Sequence, residues 1–237
     1  MKRILSVSIL VLVLGACDRN NEPLIFTPNF ASNSNIFGFD PLQGSVKSFT
    51  QTVIDEKGEM IADYHSDIDK NGCFTTINAR IPRLMTDIFL VKDGKYYVNA
   101  KTKDKVFVIN DNCTISQSVS GNEKYLMNEK GFITEVQWIV LGMKVNHYDY
   151  DENGFPLTQF TYTKTMMMKS VNEFNTEADK PFNYASKGYD NGIHSHSLAR
   201  DCTIDSHRNP ISCRVEHTGP DGKLDNVYRV ENKIEYY

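Results

Sequence analysis

The chain has 237 residues, and its 26 Lys and Arg against 30 Asp and Glu give a formal net charge of -4. Because Lys2 and Arg3 precede Cys17 and no acidic residue does, residues 17–237 carry a formal charge of -6. A mildly acidic body does not attract phosphate, so nucleic acid is not expected as a partner. Hydrophobic residues at 40% and charged residues at 24% exclude wholesale disorder and a multi-span membrane protein.

The first sixteen residues predict a signal peptide of the lipoprotein type. Lys2 and Arg3 are followed by an apolar run over residues 4–16. A run this short cannot cross a hydrocarbon core of about 30 Å as a helix. Its end, Leu14-Gly15-Ala16-Cys17, resembles the lipobox of bacterial lipoproteins, in which the cysteine thiol receives a diacylglyceryl group before cleavage. The alternative is an ordinary secretory signal that is cut near Ala16.

A lipid at Cys17 would anchor the mature chain in a membrane. Several acyl chains anchor a protein stably, because each buried methylene adds about 0.8 kcal/mol to the free energy of membrane binding. Asp18 follows the lipidated position, and by resemblance to the enterobacterial sorting pattern it favours retention at the periplasmic face of the inner membrane. Arg19 can modulate that signal. The expected partner of Cys17 is therefore the cell inner membrane.

Composition divides the chain into three expected regions: a signal peptide at 1–16, a lipidated tether at 17–45 and a single β domain at 46–237. The tether is rich in Asn, Ser and Pro, as a linker should be. It also holds four aromatic residues: Phe26, Phe30, Phe37 and Phe39. A pure linker would not contain them, so residues 26–42 are expected to lie extended against the domain.

A recurring turn pattern predicts hairpins. Residues 55–58, 128–131 and 151–154 each read Asp or Asn, two further residues and Gly, and weaker copies occur at 93–94 and 205–209. The first side chain accepts bonds from backbone amides, and Gly adopts the left-handed conformation. The flanking runs alternate with period two or are β-branched, and no long stretch has a capped helical period. We expect an all-β antiparallel hairpin meander of about ten to fourteen strands, forming a curled sheet or sandwich.

Residues 172–200 interrupt this rhythm. They are polar, contain Pro181, and show no period. The segment therefore predicts a long loop of functional importance. Its aromatic residues are candidate anchors for a partner: Phe174, Phe182, Tyr184 and Tyr189.

Four cysteines remain once Cys17 is assigned to lipid: Cys73, Cys113, Cys202 and Cys213. An even number in an oxidising compartment predicts two disulfides, with three possible connectivities. The turn at 205–210 places Cys202 opposite Cys213 on adjacent strands, which leaves Cys73 to pair with Cys113. Metal ligation is the alternative, but no C-x-x-C pair occurs.

Several residue clusters have metal-binding chemistry without a complete ligand set. Residues 67–72 and 149–154 begin like calcium loops, but Asn78 and Phe160 occupy the twelfth position, where a bidentate carboxylate is needed. His194, His196, His207 and Cys202 are a possible transition-metal set, in a segment whose Gly192, Ser195 and Ser197 indicate a mobile loop. Met166 and Met168 share one strand face, which favours a methionine-filled core over a Cu(I) site. We expect no metal and no other cofactor.

The sequence contains none of the common catalytic motifs. G-x-S-x-G, H-E-x-x-H, S-x-x-K and a glycine-rich phosphate loop are all absent from it. Its acidic residues fall mostly in turns, where they cap backbone amides. No catalytic residue is therefore predicted, and the chain is not expected to be an enzyme.

One set of fragments along the whole chain resembles the YnfC family of enterobacterial lipoproteins. The fragments are Phe26-Thr27-Pro28, Phe37-Gly38-Phe39-Asp40-Pro41-Leu42, Phe49-Thr50-Gln51-Thr52, Asp205-Ser206-His207, Asn209-Pro210 and Tyr236-Tyr237, with the four body cysteines. The family is uncharacterised. The resemblance therefore implies a membrane-anchored lipoprotein with no assigned activity.

These observations favour a non-catalytic binding or structural module of the cell envelope, with an unknown protein or glycan partner. The alternative is a carrier that holds a lipid or another apolar ligand in a curved β-sheet. A third class is a hydrolase whose residues converge only in three dimensions. A carrier requires a cavity, a hydrolase requires a cleft with converging His and carboxylates, and a scaffold requires neither.

Overall fold

A computed structural model describes residues 24–174 and 182–237. The described chain forms one α-helix and sixteen β-strands. Their bounds are α1 Pro28–Phe37, β1 Val46–Asp55, β2 Met60–Ile68, β3 Phe74–Ile81, β4 Thr86–Asp93, β5 Tyr96–Asn99, β6 Lys105–Ile109, β7 Ile115–Ser118, β8 Glu123–Met127, β9 Ile133–Trp138, β10 Met143–Tyr150, β11 Pro156–Tyr162, β12 Met167–Phe174, β13 Tyr184–Asp190, β14 Ile193–Ile204, β15 Pro210–Thr218 and β16 Leu224–Tyr236. Short 3-10 helices at Pro82–Leu84 and Ile139–Leu141 connect β3 to β4 and β9 to β10.

The strands form a closed antiparallel barrel. Each strand pairs with the next in sequence, and β16 returns to pair with β1 from Val46 opposite Tyr236 to Asp55 opposite Tyr228. The all-β meander predicted from the sequence is confirmed, whereas its form is a closed barrel of sixteen strands and not a curled sheet or sandwich. Closure satisfies the backbone groups of both terminal strands, which would otherwise be open edges.

The predicted turn chemistry is confirmed in the hairpins. Asp151 accepts bonds through Oδ1 from the amides of Asn153 (2.9 Å) and Phe155 (2.8 Å), and Gly154 has a φ of 86°. The same bonds recur at Asp55, Asn128 and Asp205. These side chains are therefore engaged in holding turns.

The hairpin turns alternate between two ends of the barrel. We call the end near residue 26 the entry end, because the amide of Phe26 donates to the carbonyl of Asn153 at 2.9 Å. Its turns are 69–72, 94–95, 110–113, 128–131, 151–154 and 205–208. The opposite end is the far end, and its turns are 56–59, 82–85, 100–104, 119–122, 139–142, 163–166, 191–192 and 219–223.

Helix α1 lies inside the barrel. Thr27 caps its first turn through Oγ1 with the amide of Phe30 (3.3 Å), Pro28 suits the first helical position, and Gly38 ends it with a φ of 87°. Phe30 packs against Phe39 and other aromatic rings of the core. The helix thus fills part of the lumen.

The prediction that residues 26–42 lie extended on the domain is therefore wrong. The helix buries polar side chains as well as aromatic ones, so its sequence shows no apolar stripe. Asn29 donates to the carbonyl of Gly72 (2.6 Å), and Ser32 accepts from the amide of Ile133 (2.9 Å). Residues 26–45, assigned to the tether from composition, belong to the folded core and its connections.

The prediction of a long loop at 172–200 is also wrong. This segment forms the end of β12, all of β13 and most of β14; residues 175–181 lie outside the described residues. The expected anchor Phe182 is completely buried in a cluster with Phe26 and Phe155, and Tyr184 faces the lumen. Neither side chain is available to a partner at the surface. Tyr189 is half-buried, and the side chain of Phe174 is outside the described part.

The outer face of the barrel is rich in charged side chains. Cross-strand ion pairs join Lys47 to Glu235 at 3.2 Å and Arg80 to Asp87 at 3.8 Å. No helix in the described ranges is long and apolar enough to cross a membrane.

Two disulfides join Cys73 to Cys113 and Cys202 to Cys213, the pairing expected from the sequence. Cys202 lies directly opposite Cys213 in the ladder between β14 and β15. The first bridge links the turns that follow β2 and β6, and so ties two parts of the entry end together.

Replacing the cysteines in pairs tests these bridges. The loop-entropy model predicts that Cys202→Ser with Cys213→Ser lowers the free energy of unfolding by about 3 kcal/mol, and that replacement of Cys73 and Cys113 lowers it by about 4 kcal/mol. Urea unfolding measures both values. Peptide mapping without reduction checks the pairing, and a peptide that joins Cys113 to Cys202 would contradict it.

Candidate functional site

A cavity of about 430 Å³ lies in the lumen beside the C-terminal end of α1. Its walls come from β1 and from β11 to β16. Three lumen-facing side chains of β12 and β13 are small and polar here: Ser170, Asn172 and Ser186. Elsewhere the lumen is filled by larger groups such as Phe49, Phe74 and Tyr97. The cavity therefore arises where α1 ends and the opposite strands carry short side chains.

The centre of the site is a buried ion pair between Arg200 of β14 and Asp40. The guanidinium donates to both carboxylate oxygens at 2.7 and 2.8 Å, and their side chains are only 10% and 9% exposed. It also donates to the Tyr184 hydroxyl at 3.0 Å. The amide of Asp40 is held by Gln51 at 2.8 Å. The pair thus connects the segment after α1 to the barrel wall.

The local environment maintains the charge on Arg200. Burial alone would lower the pKa of this guanidinium, but attraction to Asp40 and the hydrogen bonds that the guanidinium donates to Asp40 and Tyr184 more than offset it, so the net shift is upward. Burial raises the pKa of the Tyr184 hydroxyl, which stays neutral. The site consequently presents a permanent cation whose partner carboxylate is fixed.

Arg200 has one unused donor. Its Nε atom is buried and has no hydrogen-bond partner among the described residues. A buried donor without a partner carries a desolvation cost that a bound acceptor would remove. The neighbouring hydroxyls of Ser170 and Ser186 bond each other at 2.9 Å. The polar side of the cavity can therefore bind a carbonyl or carboxylate oxygen.

Part of the cavity wall is apolar. It is formed by Phe39, Val53, Leu198, Val215 and Val230. Cavities of this size that combine an apolar wall with a few placed polar groups are typical of small-molecule sites. The geometry fits a ligand with an apolar body and a hydrogen-bond acceptor.

The cavity does not present a hydrolytic arrangement among its lining residues. Asp40 is the carboxylate that lines it, and both of its oxygens are bonded to Arg200. No histidine lines the cavity within the described chain. General acid and base catalysis would require groups that are free to exchange protons, whereas Asp40 is held by Arg200 and burial raises the pKa of the Tyr184 hydroxyl.

The histidines singled out from the sequence do not form one site. His196 stacks on His217 with ring centroids 5.2 Å apart, whereas His194 bonds the Ser197 hydroxyl at 2.9 Å. His207 stacks on Tyr236 at the entry end. Cys202 is in a disulfide. Within the described ranges, no group of three His, Cys, Asp or Glu residues is arranged to hold a metal.

The segments that begin like calcium loops form hairpin turns. Asp69 accepts through Oδ1 from the amides of Asn71 (2.8 Å) and Cys73 (3.1 Å), as a turn residue does, so the turn interpretation of the calcium-like segments is confirmed here as at Asp151.

The prediction of a methionine-filled core is wrong, because Met166 and Met168 are exposed at the far end. Both residues lie beside a hairpin turn, beyond the part of the strand that packs against the core.

Tyr184, a candidate anchor predicted from the sequence, lines the cavity, whereas Arg200 was not identified as a binding residue. Leu198, Arg200 and Cys202 alternate with the exposed Ala199 and Asp201. An arginine on the inward face of an alternating run is a usable signal, which the polar composition of residues 172–200 obscures. The proposed lipid-attachment residue Cys17 lies outside the described residues.

Buried tyrosines in the lumen predict instability at high pH. Burial, with a contribution from Asp40, raises the pKa of Tyr64 to about 12, and burial raises that of Tyr150 to about 12. Since these values exceed the unfolded value near 10, each hydroxyl contributes stability below that pH, which is lost as the pH rises towards 12. Ultraviolet titration of tyrosinate beside circular dichroism measures this. Normal titration of all tyrosines in a folded barrel would contradict it.

Together these features define a closed antiparallel β-barrel with a ligand-sized cavity in its lumen. A similar fold occurs in a porin-like protein from Bacteroides uniformis, with a TM-score of 0.51 and 12% identity over 80% of this chain and 98% of that one. At this identity the likeness concerns the fold alone.

The chain belongs to the uncharacterised protein family UPF0257, which matches residues 1–237. It is 31% identical over the full length of both chains to the UPF0257 lipoprotein YnfC of Escherichia coli O157:H7. It is 32% identical, again over both full lengths, to the protein of that name from Escherichia coli O17:K52:H18. The family resemblance seen in the sequence is thereby confirmed.

Proposed function

We propose that this protein is a non-catalytic, membrane-anchored lipoprotein that binds a small amphipathic molecule in its barrel lumen. The cavity beside Arg200 carries the proposal. It combines the binding module and the carrier considered from the sequence, because the cavity has an apolar wall and a polar centre. A purely apolar ligand would leave the Arg200 Nε donor unsatisfied.

The proposed location follows from the N-terminal sequence and the relatives. The relatives are named lipoproteins, and this chain has the lipobox-like Leu14-Gly15-Ala16-Cys17. Residues 1–16 are then a signal peptide, and Cys17 bears the lipid. Asp18 supports retention at the inner membrane, with the barrel in the periplasm.

The ligand is tested by recovery from protein isolated out of the envelope. We expect a small molecule to co-purify with the wild-type lipoprotein in mild detergent, and solvent extraction with mass spectrometry identifies it. Ser186→Trp fills the cavity and should remove the molecule. Thr203→Trp is the matched control, because Thr203 is exposed on the outer face of β14. Equal recovery from wild type and Ser186→Trp would contradict binding in the lumen.

The anchor is tested separately. Cys17→Ser should abolish incorporation of labelled palmitate, since a hydroxyl does not replace the thiol as lipid acceptor, and should leave an uncleaved precursor. Fractionation of the wild-type envelope tests the location. Unchanged labelling in Cys17→Ser would exclude Cys17 as the lipidation site, and recovery mainly with outer-membrane fractions would contradict the sorting role of Asp18.

A further inference from the structure

Exposed apolar side chains are concentrated at the far end of the barrel. In the described part of the chain, fifteen large hydrophobic residues are exposed, and twelve of them lie in the far-end turns or within two residues of these turns. The twelve are Met60, Leu84, Met85, Val119, Trp138, Ile139, Val140, Leu141, Met166, Met168, Ile193 and Leu224. We call the far-end turns and these side chains the rim. A rim that faced only water would not be expected to have this composition.

The two short 3-10 helices project the most exposed of these groups. Met85 follows Pro82–Leu84 and is 94% exposed, and Val140 lies within Ile139–Leu141 and is 72% exposed. Trp138 lies at the base of the second turn, where an amphipathic ring would meet a polar boundary. The side chains stand on separate turns of one rim and so form several points of contact.

Charge distinguishes the far end from the entry end. The far-end turns hold six basic residues and four acidic ones: Lys57, Arg83, Lys101, Lys103, Lys164 and Lys223, with Glu56, Glu59, Asp104 and Asp221. The described entry-end turns hold four basic residues and six acidic ones: Lys70, Lys95, Lys130 and Arg208, with Asp69, Asp111, Glu129, Asp151, Glu152 and Asp205. Arg83 has a partner in Asp55 at 3.5 Å, and both lie at the far end. Apolar side chains among lysines therefore occur at one end of the molecule.

We propose that the far end docks on an anionic phospholipid surface. The projecting apolar groups insert at the boundary between headgroups and acyl chains, and the surrounding lysines contact the phosphates. Charge complementarity favours this occupant over a second copy of the chain, because two identical basic rims would repel each other. A protein partner is an outcome that the test separates.

The N-terminal tether joins the barrel at the end opposite this surface, which determines the side of the molecule that faces away from the anchor. Residues 17–24 can extend over about 25 Å, and they join the barrel at the entry end. Strands of eight residues span about 26 Å and tilt against the barrel axis, so only a nearly extended tether that runs back along the wall would bring the rim to the membrane of the anchor. On the proposed function, which supplies that anchor, the rim faces a second lipid surface.

Vesicle capture tests the proposal with the mature protein. The lipoprotein is reconstituted into phosphatidylcholine vesicles and mixed with protein-free vesicles of phosphatidylglycerol and phosphatidylethanolamine in equal amounts. We expect capture of the anionic vesicles and little capture of protein-free phosphatidylcholine vesicles. Met85→Asp and Val140→Asp should each reduce capture about tenfold, because each removes one inserted group.

Ile211→Asp is the control, because Ile211 is exposed at the entry end. It should capture vesicles as the wild type does, and thermal unfolding should confirm that all three variants fold. Wild-type protein that captures no anionic vesicles, or capture unchanged by both rim substitutions, would overturn the proposal. Clustering of the protein-bearing vesicles among themselves alone would assign the rim to a second copy.

The two proposals fail separately. If palmitate labelling shows that the chain carries no lipid, the same protein is added directly to the anionic vesicles and floated with them. Flotation that depends on Met85 and Val140 supports the rim, whatever the outcome at Cys17. Flotation that is unaffected by either substitution excludes it.

Discussion

Arg200→Met lowers the free energy of unfolding by about 3 to 5 kcal/mol, the range for removing one partner of a buried ion pair. The substitution keeps much of the side-chain volume but leaves the Asp40 carboxylate buried without its two guanidinium bonds. The Tyr184 hydroxyl loses its contact with Arg200 as well. Urea unfolding followed by circular dichroism measures the change.

Two further variants show that burial of the pair causes the effect. Arg214→Met removes an exposed arginine that bonds Glu216 at 2.8 Å, and its cost should be at most about 1 kcal/mol. The double substitution Asp40→Leu with Arg200→Met removes both buried charges and should recover most of the stability. An Arg200→Met variant no less stable than Arg214→Met would show that the pair is solvated in solution.

Phe30→Ala in helix α1 lowers the free energy of unfolding by about 3 to 5 kcal/mol, as for other fully packed phenylalanines. Phe30 is buried, and its ring lies 5.1 Å from that of Phe74 and 5.6 Å from that of Phe49, measured between centroids. Its removal leaves a void where the helix contacts the wall. Urea unfolding is again the measurement.

Ile25→Ala is the control in the same segment. Ile25 is exposed, so its truncation should change stability by less than about 0.5 kcal/mol. If Phe30→Ala has an equally small effect, residues 28–37 do not fill the lumen in solution. The segment would then be the tether that its composition first indicated.

The hairpins were predictable because the information that specifies them is local. Asp151, Gly154 and their counterparts form each turn through contacts within five residues. Barrel closure is different, since it depends on the pairing of Val46 with Tyr236 at opposite ends of the domain. Period-two strands indicate neighbours along the chain but not whether the first strand meets the last.

Helix α1 and the site were less predictable for a related reason. Asn29 and Ser32 favour turns and linkers by composition, and they are helical here because the lumen provides partners for them in a distant turn and a distant strand. Arg200 is buried because Asp40, remote in sequence, is placed opposite it by that helix. Each of these features depends on the closed barrel and could not be predicted from a short stretch of sequence.

The most direct test of the central claim is a crystal structure of the wild-type lipoprotein purified from the cell envelope in mild detergent. A bound molecule should occupy the lumen beside Arg200, with an acceptor atom within hydrogen-bond distance of Nε and an apolar part against Leu198 and Val230. A cavity that contains only ordered water, with Arg200 Nε bonded to it, would contradict the proposed ligand-binding function.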